Sequence, residues 1–233
     1  MVVCNRRTIL RTSTALLFGA MGWSTTGGAT TAQDNTDKDD EIEPDFEFDG
    51  TGQTVTTEIE LADGPAIGTI EYGGNGSITV NAVPQGEQGY EDVLVMTDNA
   101  SPGVGGMMAV EGPYVFEIVP TSFDLDTESS NMEWQLAIIQ PEAAENEAQE
   151  PPLEFEGTES TILGPIMFQG TETATVSHDG DGWLDIEVLP QNGDFATSLF
   201  YESGTFSGET VVRTEGIGWV PVQATGDWTL TFA

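Results

Sequence analysis

The chain holds one histidine, His178, and it stands directly before Asp179-Gly180-Asp181-Gly182. A Ser-His-Asp triad would have to take His178 as its base. The flank of a turn usually faces solvent, and the matching position earlier in the chain is Tyr72. The expected state is therefore a plain surface side chain, with metal ligation and base catalysis as the sharper alternatives. Asp179, Asp181 and Asp185 have the first, third and seventh spacing of a calcium loop. Calcium needs about six to eight oxygens, and an EF-hand places Gly at the sixth loop position. Here Gly stands second and fourth, and Asp-Gly is also ordinary tight-turn chemistry. The expectation is a weak Ca2+ site at most, with turn formation as the plainer role.

Paired carboxylates could hydrolyse glycosides, which takes two acids at a set separation. With 40 acidic residues in the chain, no one pair is informative. The structural sign of an enzyme would be a cleft holding close carboxyls of raised pKa. No Gly-rich phosphate loop carrying a Lys is present, which excludes P-loop nucleotide chemistry. Trp183, Trp219, Trp228, Phe195 and Tyr201 are the aromatic residues that could form a sugar-stacking platform. Trp219 and Trp228 match apolar aromatics earlier in the chain and are expected in the core. Trp183 replaces Ser77 beside a turn and is the best candidate for exposed ligand binding. Asn75-Gly76-Ser77 and Asn99-Ala100-Ser101 are N-glycosylation sequons in predicted loops.

These residues sit on a repeated frame. Thr69 to Gln85, TIEYGGNGSITVNAVPQ, returns at Thr175 to Gln191 as TVSHDGDGWLDIEVLPQ. Each copy reads as a strand, a Gly-rich turn, a second strand and a Pro-Gln stop, and the turn reads as that of a hairpin. Phe46-Glu47-Phe48-Asp49-Gly50-Thr51 is mirrored by Leu153-Glu154-Phe155-Glu156-Gly157-Thr158. Tyr90 and Leu94 correspond to Phe195 and Leu199, and each half closes on a Trp strand, Trp134 to Ile138 and Trp228 to Phe232.

In the first half, period-two alternation predicts strands at Phe46–Phe48, Val55–Leu61, Thr69–Tyr72, Ser77–Val83, Met107–Val110, Tyr114–Val119 and Trp134–Ile139. Val93–Met96 is a continuous apolar run, as for a strand covered on both faces. Ala62 to Pro65 reads as a turn and Asn99 to Gly106 as a loop. No convincing amphipathic helix appears outside the acidic stretch PEAAENEAQEPP at 141–152, which is transiently helical at most.

The charge sets the surroundings. Three of the five basic residues are Arg6, Arg7 and Arg11, and no Asp or Glu precedes Asp34. A mature chain from about Gln33 keeps Lys38 and Arg213 against all 40 acidic residues, a net charge of −38. Such a charge opposes compaction in dilute buffer. In molar salt the Debye length falls to about 3 Å and the repulsion is screened. Two scattered cations also exclude a nucleic-acid partner, because that binding rests on basic patches. Anionic membrane surfaces are excluded on the same ground.

At the N-terminus, Asn-Arg-Arg-Thr-Ile-Leu-Arg precedes a weakly apolar run, Ala15 to Trp23, too short to span a bilayer. Small residues then lead to Ala29-Thr30-Thr31-Ala32. Basic region, apolar run and small-residue cleavage site make a signal peptide. The pair Arg6-Arg7 resembles the twin-arginine export signal, with Asn5 as a departure. The scarcity of Lys among abundant Asp and Glu resembles exported proteins of halophilic archaea. The lone Cys4 precedes the arginines, so the mature chain has no disulfide.

The expected architecture is all-β. It has two tandem antiparallel β-sandwich domains of jelly-roll or Ig-like kind, arising from an internal duplication. The expected boundaries are a signal peptide over 1–32, an acidic linker over 33–44, sandwiches over 45–140 and 153–233, and a connector over 141–152. The closing Gly-turn and Trp-x-Leu-x-Phe pattern resembles pre-peptidase C-terminal domains and carbohydrate-binding modules. That resemblance implies a fold and carries no site residue. The function expected is a non-enzymatic, secreted or cell-surface binding module adapted to high salt. Its partner would be a cell-surface protein or a glycan. The alternative is a carbohydrate-binding module or calcium-assisted adhesion. No cofactor beyond Ca2+ is expected, nor a membrane span in the mature chain.

Overall fold

The computed structural model describes residues 43–73, 76–86, 89–98, 102–122, 132–193 and 195–233. Expectations for the signal peptide, Arg6, Arg7, Asn75, Asn99 and most of the acidic linker lie outside these residues.

The first unit contains β1 (Phe46–Thr51), β2 (Thr54–Val55), β3 (Ile59–Leu61), β4 (Gly64–Tyr72), β5 (Gly76–Pro84), β6 (Asp92–Asp98), β7 (Gly103–Ala109), β8 (Gly112–Ser122) and β9 (Glu133–Ile139). The second contains β10 (Leu153–Gly157), β11 (Thr161–Gln169), β12 (Thr173–Asp179), β13 (Trp183–Pro190), β14 (Thr197–Ser203), β15 (Phe206–Val211), β16 (Glu215–Ala224) and β17 (Asp227–Phe232). Side chains alternate in and out as period two demands: in β12, Ala174, Val176 and His178 are buried while Thr175, Ser177 and Asp179 are exposed. No helix among the described residues is long and apolar enough to cross a membrane.

The strands form four antiparallel sheets, ordered β1-β9-β4-β7, β2-β8-β5-β6, β11-β16-β13-β14 and β10-β17-β12-β15, with β3 also on β8. The first pair closes on a core that includes Ile70, Ile78, Phe116 and Leu136. The second pair closes on Val176, Ile186, Val222 and Leu230. The strand order is the same in both units. So is the closing device: Trp134 Nε1 donates to the Gly52 carbonyl and Trp228 Nε1 to that of Glu159, both at 3.0 Å.

A third cluster joins the units. Ile67, Val104 and Ile139 of the β1-β9-β4-β7 sheet meet Ile162, Leu189 and Trp219 of the β11-β16-β13-β14 sheet. The four sheets therefore stack in four layers, with the β2-β8-β5-β6 sheet at one end and the β10-β17-β12-β15 sheet at the other. Polar bonds fix this junction. The Val104 N–H donates to Gln223 Oε1 at 2.6 Å, and Gln223 Nε2 donates to Thr97 Oγ1 at 3.1 Å. The connector carries a single 3-10 turn, Glu145–Glu147. It is pinned where Ala143 and the Gln191 side chain exchange two hydrogen bonds, 2.8 and 3.0 Å.

Several expectations are corrected. The Gly-rich turns do not close hairpins. β4 pairs with β7 and β9, whereas β5 pairs with β6 and β8; β12 and β13 are likewise in different sheets. Each turn carries the chain across the core, so the strands it joins face each other instead of sharing a ladder. Gly180 is required at that crossing, since a Cβ there would lie 1.9 Å from the Thr225 carbonyl oxygen.

The apolar run at β6 belongs to an edge strand with one covered face, and Val93 and Met96 are exposed. A bulge opposite Val80 and Asn81 turns both Leu94 and Val95 inward, which is why the run lacks alternation. Val55–Leu61 is two short strands, and Gly64-Pro65 begins a strand. The Gly-rich stretch from Gly103 is strand β7. Its glycines are dictated by close approach: a Cβ on Gly105 would lie 2.5 Å from the Leu94 carbonyl oxygen.

Candidate functional site

The side chains that could meet a ligand lie on the outer face of the β13–β14 pair. Alternation along β13 turns Leu184, Ile186 and Val188 into the core, which leaves Trp183, Asp185, Glu187 and Leu189 on the outer face. Leu189 plugs the inter-unit cluster. Trp183 lies at the other end and is 42% exposed. The row from Trp183 to Glu187 spans about 13 Å at strand rise. Asp185 stands opposite Tyr201 on one side and Gln223 on the other, and Glu187 stands opposite Ser198. Tyr201 is 51% exposed, and its ring packs against that of Trp183 at 5.1 Å between centroids, tilted 35°. An open aromatic pair thus leads through two carboxyls into the junction between the units.

Burial governs the carboxyls. Asp185 is pushed up to about 6 by desolvation. Glu187 is pushed up to about 8, mainly by burial and further by the charges of Asp185 and of Asp92 on β6, against a hydrogen bond from the Gly106 backbone. Both carboxyls therefore hold their protons to higher pH than a free carboxyl, Glu187 further than Asp185. The site offers two aromatic surfaces with two carboxyls behind them. Exposed aromatic faces suit the C–H face of a sugar ring or an apolar side chain, and a carboxylate suits hydroxyl donors.

Asp185 was expected as a calcium ligand beside Asp179 and Asp181, but the structure does not bring the three together. Asp179 ends β12 in one sheet, Asp181 lies exposed in the turn, and Asp185 is on β13 of the facing sheet. Thr205 Oγ1 donates to Asp179 Oδ1 at 3.4 Å. Among the described residues no three His, Cys, Asp or Glu side chains gather in a way that could hold a metal ion.

The surface position expected for His178 is also corrected. It is 1% exposed, because alternation turns it inward. Its Nδ1 lies 2.9 Å from the Gly204 carbonyl and its Nε2 3.0 Å from that of Thr225. The ring thus sits between the backbone carbonyls of two turns, buried in the sandwich. Trp228 is core, as expected. Trp219 is buried in the inter-unit cluster rather than in the core of its own sandwich. Phe195 is exposed and stands apart from the Trp183–Tyr201 ring pair.

Glu187 is the residue that sequence reasoning passes over. Its signal is the alternation Trp183-x-Asp185-x-Glu187, which sets all three on one face of a strand.

No family model matches the chain, and no curated protein matches it. Among solved structures, the chain is similar to the CUB1-EGF-CUB2 domain of human MASP-1/3, covering 81% of this chain and 99% of that one. The sequence identity is 7% and the TM-score 0.23, a likeness too slight to bear on fold or function.

Proposed function

We propose that the protein is an exported, non-enzymatic binding module for the cell surface or its surroundings, adapted to high salt, and that it binds through the Trp183–Tyr201 face. The observation that carries this is the pair of half-exposed, packed rings on an open sheet face. Large aromatic surface is costly to leave in water and dominates recognition where it is used. Export rests on the twin-arginine-like leader, and salt adaptation on the 40 acidic residues against five basic ones. The matching strand orders support an internal duplication with sandwiches over 45–140 and 153–233.

The ligand class best suited to this face is carbohydrate, since the Asp185 carboxyl stands opposite Tyr201, beside the rings, where its oxygens can accept from hydroxyls. A glycan array probed with the purified chain in molar salt tests it. The expected result is selective binding lost in Trp183→Ala. Binding to no glycan moves the site to a protein partner.

The carboxyl pair favours one competing reading, a glycosidase with Glu187 as acid. Against it, Glu187 is held by the Gly106 backbone of the facing unit and lies at the inner end of the row. Turnover of any glycan by the purified chain that vanishes in Glu187→Gln would overturn the non-enzymatic reading.

A further inference from the structure

The carboxyl of Asp185 has no partner in its own chain. It stands on the outer face of β13, between Tyr201 of β14 and Gln223 of β16. The Gln223 amide is engaged elsewhere: its oxygen accepts from the Val104 N–H at 2.6 Å, and its nitrogen donates to Thr97 Oγ1 at 3.1 Å. Among the described residues no hydrogen bond and no cation reaches Asp185, and burial alone raises its carboxyl to about 6. A half-buried carboxylate without a partner is costly, and a donor or a positive charge placed beside it removes that cost.

Its neighbours add to the same demand. Glu187, two residues further along this face, accepts from the Gly106 backbone and meets the charges of Asp185 and of Asp92 on β6. Carboxyls of both units thus gather at the inner end of the row. Among the described residues Arg213 is the only Lys or Arg. It lies between β15 and β16, next to Thr214, whose hydroxyl is 3.4 Å from that of Thr197 at the start of β14. Thr197 pairs with Val188 whereas Ser203 pairs with Trp183, so Arg213 is at the far end of the β13–β14 pair from the rings. An acidic ligand would meet carboxyls and no counter-charge, and a cationic one meets complementary charge.

The rings say what carries that charge. Trp183 and Tyr201 pack at 5.1 Å and both stay partly exposed. Asp185 pairs with Tyr201 across the ladder and lies one alternation, about 7 Å, along β13 from Trp183. A sugar ring stacked on the aromatic pair reaches Asp185 with a substituent, and an ammonium there also gains from the faces of the rings. We infer, resting on the carbohydrate reading of this face, that the ligand is an amino sugar: a glycan unit whose free ammonium group pairs with Asp185 while its ring lies on Trp183 and Tyr201. An N-acetylated sugar lacks the charge for this pairing, and a uronic acid carries the wrong one.

Isothermal titration of the purified chain near neutral pH tests the inference, with oligomers of glucosamine, N-acetylglucosamine and galacturonic acid of equal length as probes. Molar salt, where the Debye length is about 3 Å, screens the general charge of the chain and spares pairs in contact. The glucosamine oligomer should bind at least about tenfold more tightly than the other two, the size of one charge-assisted hydrogen bond. Trp183→Ala should abolish this binding. Asp185→Asn, which keeps the shape of the side chain, should remove the preference for the free amine, and Glu209→Gln on the exposed face of β15 should change nothing. Equal binding of the glucosamine and N-acetylglucosamine oligomers overturns the amino-sugar assignment and leaves the carbohydrate reading standing. Binding of none of the three overturns the assignment as well, and the glycan array then decides the carbohydrate reading separately. A preference that survives Asp185→Asn, or that Glu209→Gln weakens as much, marks general attraction to an acidic chain and overturns it too. So does a lysine oligomer that binds more tightly than any sugar, in favour of a basic peptide. The comparison of sugars on the parent chain needs no variant, so a misfolded Asp185→Asn leaves the test in place.

Discussion

At the scale of single residues, the most telling group is Glu187. Its carboxyl is raised from the ordinary 4.5 to about 8, and that of Asp185 from 3.8 to about 6. A carboxyl that holds its proton more tightly when folded makes stability fall as pH rises, because the folded state binds more protons than the unfolded one. The contribution is fully present below 4.5, declines as the unfolded chain ionises, and is lost by the time pH passes 8. Glu187→Gln keeps a neutral side chain of the same shape. Denaturation of that variant in molar salt should show a visibly flatter decline of stability between pH 5 and 8 than the parent chain; equal slopes would place the proton elsewhere. The sequence hides this behaviour, since an acidic residue in a chain of 40 acidic residues gives no sign of burial. Asp185 was legible as a residue worth notice but not for its role, because a one-three-seven spacing is read along the chain while the sheet sets it against Tyr201 and Gln223. His178 fails for a related reason. Its place beside a turn suggested solvent, and the inward phase of β12 decided otherwise.

At the scale of elements, the two units meet where β7 packs against β16 and β13. Gly106 makes that approach possible, since a Cβ there would lie 2.3 Å from Leu189 Cδ1. Gly106→Val should force the sheets apart and cost about 2 to 4 kcal/mol, a typical overpacking penalty with part of the Leu189 burial lost. Calorimetry should then show a lowered or split transition; an unchanged single transition would mean that the junction adds little. Most strands were legible, because alternating residues such as Phe46, Phe48 and Ala174, Val176 leave little choice of structure. Their partners were not. The hairpin reading at 73–76 and 179–182 used local turn chemistry, and whether two strands share a ladder or face each other across a core is decided by packing far away in sequence. Strand β7 was hidden by its glycines, which serve contact with β6 and β13 rather than a turn.

At the scale of the whole molecule, the chain carries 40 acidic residues against five basic ones. Self-repulsion of that size opposes compaction in dilute buffer and is screened in concentrated salt. Circular dichroism should show loss of sheet signal on dialysis from molar to millimolar salt, and a spectrum unchanged over that range would refute the salt dependence. The all-β class and the twofold recurrence of the strand pattern were legible from the repeat at Thr69 and Thr175. The junction was not, because Trp219 read as an ordinary core residue of its own unit. The claim that binds these scales together is recognition through the Trp183–Tyr201 face. The most direct measurement captures ligands from the native organism's envelope and medium in molar salt, with the parent chain and a Trp183→Ala, Tyr201→Ala variant side by side. The account predicts a glycan or a single stoichiometric partner held by the parent and absent from the variant. The same material retained by both chains would contradict it.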